Sequence, residues 1–252
     1  MMPVLFIGHG SPTNMIKPNR YADGWKQIAQ RLPKPDAILS ISAHWYTRGS
    51  YVSVSEKPET IYDFYGFSEE LYQLDYPAPG APGLARRVLE LCGDTVRPAA
   101  YGLDHGSWSV LRSLFPNADV PVAQLSVDGM ADAETAFRLG QTLAALRKEN
   151  ILILGSGNVV HNLGRVDFDK SDGYAWAEEF DRYIQNAVLD RRFDDAIHYG
   201  RAGECAKLAF PTPDHFLPLL YVLGAEKPED TPDVFLNECV MGSLSMTSYL
   251  FS

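Results

Sequence analysis

Cysteine is scarce in this 252-residue chain: Cys92, Cys205 and Cys239 are the whole complement, odd in number and without a C-x-x-C pair. That excludes a disulfide scaffold and a cysteine-rich zinc site, fits a reducing cytoplasm, and leaves each thiol reading as a small buried hydrophobe. Long apolar runs are absent as well. Nothing approaches the ~20 residues that span a bilayer. Residues 1–10 are apolar but have neither a basic lead nor a small-residue cleavage site, so they read as a buried strand rather than a secretion signal. Positive charge is in deficit, 22 Lys and Arg against 32 Asp and Glu, for a net charge of -10. Such a surface repels nucleic acid and anionic membranes on average, and neither is an expected partner.

Several local signatures are also missing. There is no Walker A loop. Gly8-x-Gly10 lacks the third glycine of a dinucleotide loop, and Pro12 interrupts it. Ser156 has glycines as immediate neighbours, the wrong spacing for a nucleophile elbow, and Ser11 reads as a helix cap. No H-E-x-x-H and no closely spaced pair of histidines occurs, so the local zincin and zinc-finger patterns are out.

What is present is enough apolar sequence, 46% of residues, to fill a sizeable core. No repeat, low-complexity tract or linker divides the chain, which reads as one catalytic domain over residues 1–252. Apolar runs at 4–8, 37–42, 120–127 and 151–154 are bounded by breakers and suit strands buried on both faces. Helical periodicity falls at 22–31, 82–92, 132–148 and 174–190, with Pro82 at a first helical position and Asp132 as an N-cap. The alternation predicts an α/β fold: a single-domain layered α/β/α arrangement around a mostly parallel or mixed sheet. Residues 46–82 read differently, as a long functional excursion with an edge strand at 51–55. The aromatic cluster in and beside it (Trp45, Tyr46, Tyr62, Phe64, Tyr65, Phe67, Tyr72 and Tyr76) packs the excursion and offers a wall for a flat apolar ligand.

The six histidines are informative through their placement. His9 and His44 directly follow apolar strand-like runs, and His161 lies six residues beyond Gly155, after another. Ligand crevices of open α/β sheets lie outside the carboxyl ends of the strands, so these three can converge in space. His215 opens an apolar helical stretch, and His105 sits at a turn before a helix. His198 has no such context and reads as structural or solvated. Dispersed imidazoles suit Zn(II), Fe(II), Cu(II) or Ni(II), and the pattern alone does not choose among them. Asp104 and Asp214 each precede a site histidine and are candidates to fix an imidazole tautomer.

The strings G-H-G-S-P (8–12), S-A-H-W (42–45), Y-D-F-Y-G-F (62–67), Y-P-A-P-G (76–80), G-L-D-H-G-S-W (102–108), G-S-G-N-V-V-H-N-L (155–163) and P-T-P-D-H-F-L-P-L-L (211–220) are specific together. In order and content the chain resembles the DOPA-dioxygenase-type members of the class III extradiol ring-cleavage dioxygenases, in the protocatechuate 4,5-dioxygenase beta-subunit superfamily. The resemblance implies an α/β core with one divalent, non-haem metal ion per chain. Fe(II) would support activity, and Zn(II) would occupy the site in isolated protein. His9, His44 and His215 would hold the metal. His161 would be the acid/base beside it or a fourth ligand, and His105 would line the pocket and share the proton work. The substrates implied are O2 and a small catechol resembling 4,5-DOPA, the product a ring-opened semialdehyde, and the protein a cytoplasmic monomer or small homo-oligomer. A zinc-dependent hydrolase on the same histidines and a non-enzymatic, partner-binding homologue are the alternatives. An acidic catechol would need a basic pocket residue, for which Arg48 and Lys57 are the candidates in the excursion.

Overall fold

The computed structural model describes all 252 residues. Its main sheet is built from β1 (Val4–Gly8), β2 (Ala37–Thr47), β3 (Ser50–Ser53), β4 (Val96–Ala99), β5 (Val122–Asp128), β6 (Ile151–Gly157), β7 (Pro232–Phe235) and β10 (Ser248–Phe251). The order is β4-β3-β5-β2-β6-β1-β10-β7; β8 (Cys239–Val240) and β9 (Leu244–Ser245) form a separate two-stranded ribbon. The central strands β5, β2, β6 and β1 run parallel, while β3 joins β5 and β10 joins β1 antiparallel. The sheet is therefore mixed, with a parallel centre, and the expected α/β class holds.

Both faces of that centre are covered. Along β1 every residue is buried. Val4 and Phe6 enter a core of 44 buried residues, whereas Leu5 and Ile7 enter one of 22 on the other face. Two cores explain why the strand reads as a continuous apolar run rather than an alternating one. Full burial of a side chain such as Phe6 stabilises the fold by roughly 1.5–3 kcal/mol. The larger core is closed by α3 (Pro82–Cys92), α5 (Ala133–Leu143), α6 (Ala175–Leu189), the short α7 (Phe193–Ile197) and α8 (Glu204–Ala209), and α9 (Leu217–Ala225), the smaller one by α1 (Arg20–Ala29), the single-turn α2 (Glu69–Tyr72) and α4 (His105–Leu114). Asp132 caps α5 as expected, accepting the Thr135 backbone N–H at 2.8 Å. No helix is long and apolar enough to cross a membrane.

Three differences from the sequence reading matter. The second strand does not stop at residue 42: β2 continues to Thr47 through a break in register with β5 between Ser42 and Tyr46. His44 is thus inside a bulged strand, not beyond its end. The strand expected at the sheet edge, β3, is interior; β4 occupies the edge, where Pro98, lacking an N–H, is tolerated. The short strands β7 and β10 extend the sheet beyond β1 and carry too little apolar run to be legible beforehand.

Candidate metal centre

Five chain segments deliver five imidazoles to the carboxyl end of the parallel centre. His9 follows β1, and its backbone N–H still donates to Gly157 of the adjacent strand at 3.0 Å. The β2 bulge turns His44 toward it; bulges re-aim side chains in this way. His105 is the first residue of α4, whose N-cap is Asp104. His215 ends a short 3-10 turn ahead of α9. His161 lies past β6 and is tied by its backbone N–H to Ala209 at 2.9 Å. Glycine permits this crowding. A Cβ on Gly157 would overlap the carbonyl of His215, and one on Gly106 would stand 2.8 Å from Cδ2 of His44. The G-S-G string is therefore a packing device. Its glycines admit the His215 segment on one side, and Ser156 serves His9 on the other.

The rings are close. His9 Nε2 and His44 Nε2 are 3.2 Å apart. Ligand atoms of His9, His44 and His105 all lie within 4.8 Å of one another. His215 stands with its ring centroid 5.3 Å from that of His9 and 4.9 Å from that of His44. His161 stacks on His215, centroids 3.4 Å apart and planes 6° from parallel.

Two of these imidazoles are hydrogen-bonded at Nδ1 by a group behind them, and a third faces a carboxylate there. Ser156 Oγ spends its proton on the Gly106 carbonyl at 2.5 Å, so it accepts from His9 Nδ1 at 3.0 Å. His44 Nδ1 faces Asp63 Oδ2 at 3.1 Å, and His215 Nδ1 faces Asp214 Oδ2 at 2.5 Å. The network assigns the proton to Nδ1 in each case and leaves the Nε2 lone pair for something else. His215 Nε2 is buried without any partner. The trio whose ligand atoms lie within 4.8 Å of one another, His9, His44 and His105, could hold a metal ion, and His215 brings an unpartnered Nε2 beside it.

Charge agrees with this arrangement. Burial drives His9 and His215 well below the ordinary imidazole pKa, and the neighbouring rings add to the effect. Burial also lowers His105, with His44 contributing, and takes His161 down to about 4 against the pull of Asp214. His44 differs: burial opposes its proton, but the bond to Asp63 and the charges of Asp104, Asp63 and Asp214 prevail and raise it. Burial likewise opposes ionisation of Asp63, yet the imidazoles of His105 and His44 hold it far below the usual carboxylate range.

All five histidines singled out in the sequence meet here, and His198 lies apart on the surface. Of the two carboxylates expected to fix tautomers, Asp214 meets His215. Asp104 does not meet a ring. It accepts from Ser42 Oγ at 2.6 Å and from the Ser107 backbone at 3.0 Å, and it also pairs with Gln124; helix capping outcompetes the imidazole. The carboxylate that sequence reasoning missed is Asp63, in the excursion. Its neighbour Phe64 packs edge-on against His105 at 5.4 Å and tilted against Tyr72 at 5.1 Å, while Tyr76 is buried and Tyr65 is 92% exposed. The excursion is thus both core and wall. Lys57 lines a separate groove of about 350 Å³ with Pro58 and Pro79, sharing no residue with the histidine cluster.

A buried imidazole cluster at the strand ends of a parallel-centred sheet is a site able to hold one metal ion. Residues 3–249 match the family described as catalytic LigB subunit of aromatic ring-opening dioxygenase, and the chain belongs to that family. It is 44% identical over 257 residues to a protein of Escherichia coli (strain K12) named 4,5-DOPA dioxygenase extradiol, covering 98% of this chain and 93% of the relative. A protein of the same name from Beta vulgaris is 38% identical over 258 residues, covering 98% and 95%. The crystal structure of an uncharacterized protein, JW3007, from Escherichia coli K12 superposes with a TM-score of 0.88 at 40% identity over the whole of both chains.

Proposed function

We propose that this chain is an extradiol dioxygenase that opens a catechol ring, that of a 4,5-DOPA-like diphenol, with O2. Both oxygen atoms end in a ring-opened semialdehyde. The whole chain serves as one catalytic domain in the cytoplasm, where its three thiols stay free. The observation that carries the reading is the set of three Nε2 atoms left over by outward-bonded Nδ1 atoms, on a chain whose relatives are named 4,5-DOPA dioxygenase extradiol.

His9, His44 and His215 would hold one divalent ion, Fe(II) in turnover and Zn(II) in the isolated protein. That ion supplies Lewis acidity to the catechol hydroxyls and the electronic link between catechol and O2. The remaining work falls to side chains. His161 accepts the second catechol proton on a ring nitrogen and returns it as the ring opens. Its stacking favours this role over ligation. The two rings are parallel and 3.4 Å apart, so the in-plane lone pairs of His161 and His215 do not converge on one point. His105 orients the substrate and shares that proton, and Phe64 beside it gives the catechol ring an apolar wall.

The test is anaerobic Fe(II) loading followed by a catechol panel, with O2 uptake and the yellow product absorbance recorded together. Uptake with at least one catechol is the expected result. Metal-loaded protein that consumes no O2 with any of them, but cleaves an ester, would be a hydrolase and would refute the reading. Metal content of the alanine variants tests the ligand set: His215→Ala should lose the ion, and His105→Ala should keep it.

A further inference from the structure

We propose that Asp63 is a positioning residue of the metal centre, which it ties to the substrate-side excursion through a single carboxylate. The inference rests on the ligand set proposed above and adds a residue to it. Asp63 Oδ2 lies 3.1 Å from His44 Nδ1 and 3.0 Å from His105 Nδ1, an ion-pair contact to each ring rather than an aligned hydrogen bond. Its other oxygen accepts the backbone N–H of His105 at 2.8 Å, at the N-terminus of α4 where an anion is favoured. One side chain therefore spans the β2 bulge and the start of a helix.

Each proposed ligand has its own backing group. His9 has Ser156 and His215 has Asp214; both come from segments already fixed by the sheet or by the ligand's own turn. Only His44 depends on a group from the excursion. That group is held firmly. Ile61 N–H donates to Leu103 at 2.7 Å, Leu103 N–H donates to Glu59 at 2.8 Å, and Trp108 Nε1 donates to the Ile61 carbonyl at 3.0 Å. These bonds lace residues 59–61 to the approach of α4 and set Asp63 two residues further on. Phe64, which walls the pocket in the proposed reading, is its direct neighbour in the chain. Without the carboxylate, His44 loses the partner that keeps its proton on Nδ1, and the alternative tautomer places a hydrogen on Nε2 where the ion must bind.

The experiment uses the full chain as wild type, Asp63→Asn and Asp63→Ala. Zn(II) affinity is measured by chelator competition, Co(II)-loaded protein is examined by visible absorption, and the melting temperature of each metal-free protein is taken. The expected result is a roughly 10–100-fold loss of Zn(II) affinity in both variants. The Co(II) bands should be altered, and the near-isosteric Asp63→Asn should melt close to the metal-free wild type. Zn(II) affinity and Co(II) bands equal to wild type in Asp63→Asn overturn the role of Asp63 and leave the ligand set standing. A drop in metal-free melting temperature with unchanged affinity means a merely structural residue, and also overturns it. Wild-type protein that takes up neither metal overturns the ligand set, and this inference with it.

Discussion

Gly106→Ala tests whether the metal centre depends on backbone approach as closely as the geometry requires. At an unobstructed helix position alanine is favoured over glycine by up to ~1 kcal/mol. Here the added Cβ would stand 2.5 Å from Ser42 Oγ and 2.8 Å from His44 Cδ2, where ordinary contact begins at 3.4 Å. The His44 ring must give way by about 0.6 Å and Ser42 Oγ by about 0.9 Å, or α4 must shift instead, and overpacking of this kind costs ~1–3 kcal/mol. The two effects nearly offset, so the metal-free protein should lose no more than about 2 kcal/mol. The site is less forgiving, because first-contact groups must be held to within ~0.5 Å. Zn(II) affinity should fall about 10–100-fold, read by chelator competition, and catechol-dependent O2 uptake should fall with it. Gly200→Ala is the control: no atom lies within 4 Å of its Cβ position, and stability should hold or rise. A Gly106→Ala protein with wild-type Zn(II) affinity and wild-type uptake would refute the claim that α4 packs against His44 tightly enough to place it.

The remaining predictions concern the division of roles and the core. His161→Ala should keep its metal and lose ~10²–10⁴ in turnover, whereas His9→Ala should lose the metal itself; equal metal loss in the two would make His161 a ligand. Arg147 is buried, with Nη1 and Nη2 on Asp230 at 2.6 and 2.8 Å and further bonds to the Met2 and Ala225 carbonyls. Asp230→Asn should therefore destabilise the fold by about 3 kcal/mol and lower Tm by roughly 6–12 °C in a thermal melt. Burial opposes ionisation of Asp230, but the bond from Arg147 prevails and lowers its pKa. Its stability contribution is complete above the unfolded carboxylate value of ~3.9 and is lost as pH falls through the lower folded value. Acid unfolding should accordingly show a smaller loss in the Asp230→Asn variant than in wild type; parallel acid curves would refute the pairing.

How much of this was legible beforehand follows from local physics. Strands β1, β2, β5 and β6 announced themselves because burial on two faces demands continuous apolar sequence. Helix α3 was read to the residue because Pro82 marks its first turn. Strand β4, V-R-P-A, could not be read: two of its four residues are exposed, and it is a strand only because β3 offers it an edge. The same holds for β10, whose pairing with β1 joins residues about as far apart in sequence as the chain allows. The end of β2 was misplaced for a related reason. A bulge is decided by the register of two neighbours, and His44-Trp45 carries no local sign that the strand resumes at Tyr46.

The histidines were legible because an imidazole carries its chemistry in its residue type wherever the chain places it. Their backing groups were not, because a tautomer can be fixed by any acceptor within reach: a serine for His9, the preceding aspartate for His215, a distant loop carboxylate for His44. Adjacency in sequence gave Asp214 correctly and Asp104 wrongly. At Asp104 the competing demand was the open N-terminus of α4, whose unpaired N–H groups lie closer to hand than any ring. Once Asp104 is committed to the helix, the proton on His44 Nδ1 needs another carboxylate, and the excursion is the segment that can supply one without displacing a strand. On the roles proposed above, a loop that sequence reading assigned to substrate binding would also carry a load for the metal, and substitutions made there to alter catechol preference should be checked for metal content before any change in rate is assigned to the pocket.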